Sequence, residues 1–143
     1  MAFAVFCVVL LTCARIWRAM SVSLEAERTL GASYLVLDIL TAYVQQKSAW
    51  PASWSDLVPI SPHAQYSGLD WPADADDIRR RIDLDFTLCV SEVAAMDVED
   101  FTAVRPLGPN YGLHEGRIKQ LLQVARGVGA PGPKKRGRGG RAN

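Results

Sequence analysis

Residues 2–14 read AFAVFCVVLLTCA, and this uncharged, almost entirely apolar stretch decides where the rest of the chain lies. Arg15 and Arg18 follow it, with Trp17 between them. As an α-helix, residues 2–20 extend about 28 Å, close to the hydrocarbon thickness of a bilayer at about 30 Å. This length is sufficient to cross the bilayer if the Arg15 and Arg18 side chains snorkel and Trp17 lies at the headgroups. We therefore expect a transmembrane or signal-anchor segment at residues 1–20, which contacts the lipid bilayer through residues 2–20.

Three other interpretations of this stretch stay open. Thr12 and Ala14 form a small-x-small site at which a signal peptide would be cleaved, although no charged region precedes the run. A soluble protein would bury the same side chains in its core. The string LLTC, ending at Cys13, resembles a lipoprotein box with an unfavourable Thr.

The orientation of the segment also stays open. Arg15 and Arg18 follow the apolar run, so the positive-inside rule places the body of the chain in the cytoplasm. Basic residues upstream of a misassigned start codon would reverse that orientation. The expected location is the cell membrane, single-pass, with the side of the soluble domain undetermined.

The next segment has the pattern of an amphipathic helix over residues 22–47. Neither Gly nor Pro occurs from Met1 to Leu30, and apolar residues then recur at spacings of three and four. The stripe consists of Leu30, Tyr34, Val36, Leu37, Leu40, Tyr43 and Val44. This helix can continue directly from the membrane segment, and Pro51 ends it.

The sequence WPASWSDL at residues 50–57 predicts a structural corner. Trp50-Pro51 breaks the helix, and Ser53 can cap a new turn with Asp56 as its capping-box partner. Trp54 and Leu57 lie three residues apart and can fold back on the first helix. The corner comprises Trp50, Pro51, Ser53, Trp54, Asp56 and Leu57. An aromatic patch that binds a ligand is the alternative interpretation.

The sequence that follows the corner predicts short helices and strands. Asp74 would cap a helix ending in Arg79 to Arg81, and residues 82–88 alternate as a half-buried strand. Residues 101–105 are a second strand candidate, stopped by Pro106. An amphipathic helix begins near Arg117 and ends before Gly127, with Ile118, Leu121, Leu122 and Ala125 on its apolar face. We expect an α+β fold in which a small antiparallel sheet and a C-terminal helix pack on the long N-terminal helix.

Charge is strongly segregated, although 16 Lys and Arg nearly balance 15 Asp and Glu. Residues 38–100 hold twelve acidic and four basic residues, a net charge of −8, whereas residues 127–143 carry +5. That last segment also holds six Gly and two Pro, which predicts a disordered basic tail. A small α+β domain then covers residues 21–126. Polyanion contacts would come from Lys134, Lys135, Arg136, Arg138 and Arg141.

No catalytic, cofactor-binding or metal-binding motif is recognisable. The aspartates after Asp74 lack EF-hand spacing, since Ile78 and Arg79 occupy positions five and six. His63 and His114 lie outside any known motif, and Cys89 is expected to pack as a small hydrophobe. A Cys89–His dyad would require tertiary proximity that sequence does not reveal. We expect no enzyme activity, no cofactor and no metal.

Two resemblances can be named from these residues. The apolar helix, its continuation to Tyr43 and the segment WPASWSDL resemble the type IV pilin and pseudopilin plan over residues 2–57. The Glu that this family carries early in the apolar run is absent, and Arg15 interrupts the run. The chain is also similar to small uncharacterised bacterial membrane-anchored proteins with a WPxSWxDL segment, through Ile82–Phe86 and Arg105-Pro106. That second resemblance implies no activity.

Taken together, these features predict a membrane-anchored envelope protein that acts non-enzymatically through protein contacts and is pilin-like in plan. Its partner would be an unidentified membrane or envelope protein, and its oligomeric state is not determined by the sequence. The alternative is a polyanion or nucleic-acid accessory protein that uses the basic Gly/Arg tail. Nucleic acid is the less favoured partner, because the tail has no interleaved aromatic residues.

Overall fold

A computed structural model describes residues 2–61 and 68–129, with the backbone alone described for residues 2–11 and 14. Its elements are α1 (Ala2–Lys47), α2 (Trp54–Leu57), α3 (Ala75–Arg81), β1 (Ile82–Leu84), α4 (Val90–Ala95), β2 (Val104–Pro106) and α5 (Glu115–Gly129). β1 and β2 form a two-stranded antiparallel sheet. The predicted α+β class is therefore confirmed, with a long N-terminal helix, a small antiparallel sheet and a C-terminal helix.

The C-terminal half of α1 is the centre of the core. Every residue from 31 to 44 is buried or half-buried, so other elements cover this part of the helix on all sides. α5, α3, α2 and both strands contact it. The largest fully buried side chains of α1 are Leu35, Val36, Leu37, Ile39, Leu40 and Val44. The predicted stripe is correct, but the buried surface is wider than one helical face.

Three hydroxyl side chains are buried on α1, and each is satisfied within the helix. Thr29 donates to the carbonyl of Glu25, Ser33 to that of Thr29, and Thr41 to that of Leu37, at 2.7–2.9 Å. These bonds to the preceding turn satisfy polar groups that would otherwise be costly in an apolar interior.

The strand predicted over residues 82–88 is shorter than expected. β1 ends at Leu84, because Asp85 folds the chain into a turn. The Asp85 carboxylate accepts hydrogen bonds from the backbone N–H of Thr87 at 2.9 Å and from its hydroxyl at 2.6 Å. In the sheet, Asp83 pairs with Arg105 across the two strands. The second strand also differs from the prediction: it spans Val104–Pro106 and includes the proline.

The two C-terminal helices complete the core. α5 buries the predicted residues Ile118, Leu121, Leu122 and Ala125 against α1, and α4 packs beside it. α5 extends to Gly129, so the prediction that Gly127 ends the helix and begins the tail is wrong for residues 127–129. Arg126 holds the two helices together by donating to the carbonyls of Ala94 and Met96. The rest of the predicted tail lies outside the described residues.

Substitutions at two leucines of α1 test whether the helix has a buried C-terminal half and an exposed N-terminal half. Leu37 is fully buried, whereas Leu24 is 60% exposed. Leu37→Ala should lower the free energy of unfolding by about 2–5 kcal/mol through lost burial and a residual cavity. Leu24→Ala, the control on the same helix, should change it by less than about 0.5 kcal/mol. Denaturant unfolding of the full chain in mild detergent, followed by circular dichroism, measures both; equal effects would contradict the division.

Candidate functional site

The first half of α1 projects from the domain. Every described residue from 12 to 25 is exposed, and we call residues 12–24 the proximal segment. Its open apolar side chains are Ile16 at 55%, Trp17 at 77%, Met20 at 59%, Val22 at 50% and Leu24 at 60% exposed. Such a concentration of large apolar side chains on one short segment is typical of a contact surface rather than a solvated helix. The proximal segment is therefore the main candidate site.

The predicted membrane segment overlaps this surface only in part. Residues 1–11 and 14 lie outside the described side chains, so the apolar run itself is not tested. Among the side chains that are described, no helical stretch is both long and apolar enough to cross a bilayer. Arg15 and Arg18 are both exposed, as is Trp17 between them.

An ion-pair cluster marks the point where α1 enters the domain. Arg81, at the end of α3, binds the carboxylates of Glu25 on α1 and Asp77 on α3, and its side chain is only 14% exposed. We call these three residues the entry clamp. Hydrogen bonds from Arg81 hold the pKa of Glu25 below 4.5 and that of Asp77 below 3.8. The clamp fixes the direction in which the proximal segment leaves the domain.

A loop lies against the same part of α1. The hydroxyl of Tyr111 is 3.2 Å from that of Ser23, and Gly108 lies beside Thr29. Leu107 and Tyr111 are 60% and 65% exposed. The loop over residues 107–113 therefore places the exposed Tyr111 side chain beside the proximal segment.

The residues of the predicted corner lie together where α1 ends. Trp50, Pro51 and Leu57 are buried, and the Trp50 indole donates to the carbonyl of Asp85 at 2.8 Å. The Asp56 carboxylate accepts hydrogen bonds from the backbone N–H groups of Ala52 and Ser53 at 2.8 and 3.0 Å. These contacts tie the end of α1 to the turn after β1.

Trp54, the remaining corner residue, belongs to an aromatic cluster. Its ring meets Phe86 edge-on at 5.7 Å and lies 6.5 Å from the ring of Trp71. The Arg79 guanidinium lies 5.9 Å from the Trp54 ring centre, within cation–π range. All four side chains are half-buried and pack on one another, so this cluster closes one side of the core.

A polar groove separates α1 from the start of α5. It encloses about 520 Å³ and is lined by Asp38, Thr41, Ala42, Gln45, His114, Gly116, Arg117 and Gln120. Arg117 binds the Asp38 carboxylate and stacks on the Tyr34 ring at 4.9 Å. The His114 ring meets Tyr34 edge-on at 5.6 Å. These contacts join α5 to α1 and account for the charged side chains of the groove.

The two residues considered for catalysis have separate structural roles. Cys89 is exposed and caps α4, where its N–H donates to Glu92 at 2.7 Å, so the prediction that it packs as a small hydrophobe is wrong. His114 precedes α5 and is exposed beside Tyr34, while His63 lies outside the described residues. No group of three or more His, Cys, Asp or Glu in the described ranges is placed to hold a metal ion.

The predicted polyanion contacts also lie outside residues 2–61 and 68–129. They are Lys134, Lys135, Arg136, Arg138 and Arg141. Sequence reasoning missed the entry clamp and Tyr111. The clamp partners Glu25 and Arg81 are 56 residues apart, and no local pattern connects them. A solvent-facing charge and a clamp charge look the same in a sequence.

Comparisons with known proteins supply no relative: no protein-family model, curated protein or solved structure matches the chain.

The entry clamp predicts an acid-sensitive stability. Because the pKa values of Glu25 and Asp77 are lowered in the folded state, their contribution is present above pH 4.5 and is lost as the pH falls through the folded-state values. Glu25→Gln should lower Tm at pH 7, and this deficit should shrink as the pH falls below 4.5. Glu27→Gln, an exposed carboxylate two residues away, is the control. A Glu25→Gln deficit that stays constant as the solution is acidified, down to the lowest pH at which the protein stays folded, would contradict the clamp.

The corner gives a second prediction. Asp56→Ala removes an acceptor of two backbone N–H groups and should lower the free energy of unfolding by about 0.5–2 kcal/mol. Asp56→Asn keeps one side-chain oxygen and should lose less. Chemical denaturation of the two variants checks the order, and equal losses would show that hydrogen bonding to this side chain is not what stabilises the corner.

Proposed function

We propose that this protein is a single-pass membrane-anchored envelope protein that acts non-enzymatically, through protein contacts. In this proposal residues 2–20 of α1 lie in the bilayer, and the α+β domain stands at its surface. The observation that supports it is the division of one continuous helix. Residues 31–44 are all buried or half-buried, whereas the described residues from 12 to 25 are all exposed and include five large apolar side chains.

The order of side chains along the proximal segment supports a bilayer boundary at this depth. Arg15, Trp17 and Arg18 follow the uncharged run directly. Arginine side chains snorkel to phosphates, and tryptophan prefers the headgroup region. All three are exposed, so nothing in the described part of the domain occupies the space that lipid would fill.

The entry clamp supports the mechanical side of the proposal. An anchor that positions a domain has to transmit its direction to that domain. Arg81 joins α1 to α3 at Glu25, five residues beyond the proposed boundary at residue 20, and the helix then continues into the core without a break. The domain is therefore held at a fixed angle to the anchor rather than on a flexible tether. The pilin-like resemblance of residues 2–57 stays a prediction.

Membrane fractionation of the full chain in a bacterial host tests the proposal. The protein should stay in the pellet after an alkaline carbonate wash. Val8→Glu with Leu10→Lys should release or destabilise it, since each charge at mid-span costs about 2.5–3.5 kcal/mol. The matched control, Val58→Glu with Leu107→Lys, places the same residue types on exposed positions of the domain and should leave the protein in the pellet. A wild-type chain that is washed off intact and folded would overturn the proposal.

A further inference from the structure

Three of the exposed apolar side chains of the proximal segment, Trp17, Met20 and Leu24, form one line along the helix with Cys13, whereas Ile16 and Val22 lie off that line. Cys13, Trp17, Met20 and Leu24 are separated by four, three and four residues. At about 100° per residue they fall within an arc of about 60° on the helix. We call these four residues the seam. In the sequence the same alternation continues back through Leu10, Phe6 and Phe3.

This spacing is the repeat of paired helices. An apolar residue every 3.5 positions keeps one line of side chains facing a partner helix when two helices wrap around each other with a left-handed twist. A helix that buries one face in a globular domain has a wider stripe, as residues 31–44 of this helix do.

The charges of the segment lie away from the seam. On the same wheel Arg15 lies about 170° from the centre of the seam and Arg18 about 130° from it. Pairing through the seam therefore leaves both arginines free to reach headgroups. Pairing through the opposite face would bring like charges together. The seam does not continue beyond Leu24. The next position in the repeat is the charged Glu27, and the position after that is Gly31, which is buried in the domain.

The seam faces away from the domain of its own chain. The α1 residues that first enter the domain are Ala26, Thr29 and Ser33, all buried, and they lie about 150–170° from the seam. Tyr111 reaches Ser23 on the flank of the helix, not the seam. As far as residues 2–61 and 68–129 are concerned, the seam is exposed and open to a second helix while the domain stays in place.

We infer that the seam pairs with the seam of a second copy of this chain, as a parallel and symmetric helix dimer. The inference deepens the proposed function, on which it rests for the common direction of the two helices, since both copies enter one bilayer from the same side. Met20 and Leu24 lie at or beyond the proposed boundary, where lipid tails do not cover them. A two-fold contact brings each seam residue against its own counterpart.

The geometry of such a pair is testable through Cys13. Paired helix axes lie about 8–10 Å apart, and each Cα lies about 2.3 Å from its axis, so facing Cα atoms approach to about 3.4–5.4 Å. That range overlaps the lower part of the Cα separations found in disulfides, about 4.4–6.8 Å. Cys13 is a free, exposed thiol, and two facing copies would form a disulfide when an oxidant is supplied.

The experiment uses full-length chains in isolated membranes with one cysteine each. Cys13 alone remains in the variant Cys7→Ala with Cys89→Ser; Leu24→Cys and Val22→Cys are placed in a chain that also carries Cys13→Ala. Diamide takes up the two electrons and two protons released as the thiols join. Cys13 and Leu24→Cys should give about tenfold more dimer on non-reducing gels than Val22→Cys, which faces away from the seam.

The possible outcomes distinguish a failure of the proposed dimer from a failure of the proposed membrane anchor. Selective coupling at Cys13 and Leu24→Cys supports the dimer, whether or not carbonate releases the protein. Equal coupling at Val22→Cys indicates random collision and overturns the dimer. Absence of coupling in protein that stays in the carbonate pellet overturns the dimer and leaves the anchor intact. A coupled product of another mass identifies a different partner and also overturns the dimer.

Discussion

The enclosure of residues 31–44 of α1 is the constraint on which the rest of the structure depends. The sheet has only two strands of three residues each, and α2, α3 and α4 are short. Elements of this size bury too little surface to be stable alone. α2, α3 and both strands contact α1, and α4 packs on α5, which itself contacts α1. The helix is thus the organising element of the core, and the domain is a shell of small elements around it.

A core built in this way fixes the other half of the helix. Since α1 has no break before Lys47, its N-terminal half must leave the domain in a straight line. The entry clamp holds that line by joining Glu25 to Arg81. The exposed apolar side chains of the proximal segment are then a consequence of the architecture, because the domain encloses only the C-terminal half. We propose two environments for these side chains: a second helix along the seam, and lipid around the rest of the segment up to residue 20.

Sequence reasoning succeeded where the pattern was local and repeated. The stripe from Leu30 to Val44 and the apolar face of α5 follow the helical period, so both helices could be predicted. It failed where one side chain changed the backbone: Asp85 binds the N–H of Thr87 and ends the strand that the alternation of residues 82–88 predicted. α5 continues through Gly127, whose helix propensity is low, and Val128 beyond it packs against the core. Cys89 caps α4 through Glu92, a role that its residue type does not suggest.

Amide hydrogen exchange along α1 can measure how the two halves of this helix differ in stability. If residues 31–44 are the core around which the domain folds, their amides should be the slowest in the chain and should exchange only through global unfolding. In detergent, amides of residues 15–24 should exchange faster than these through local opening, with the change in rate near the entry clamp. Uniform exchange rates from residue 15 to residue 44, or exchange at residues 31–44 faster than in α5, would contradict the account.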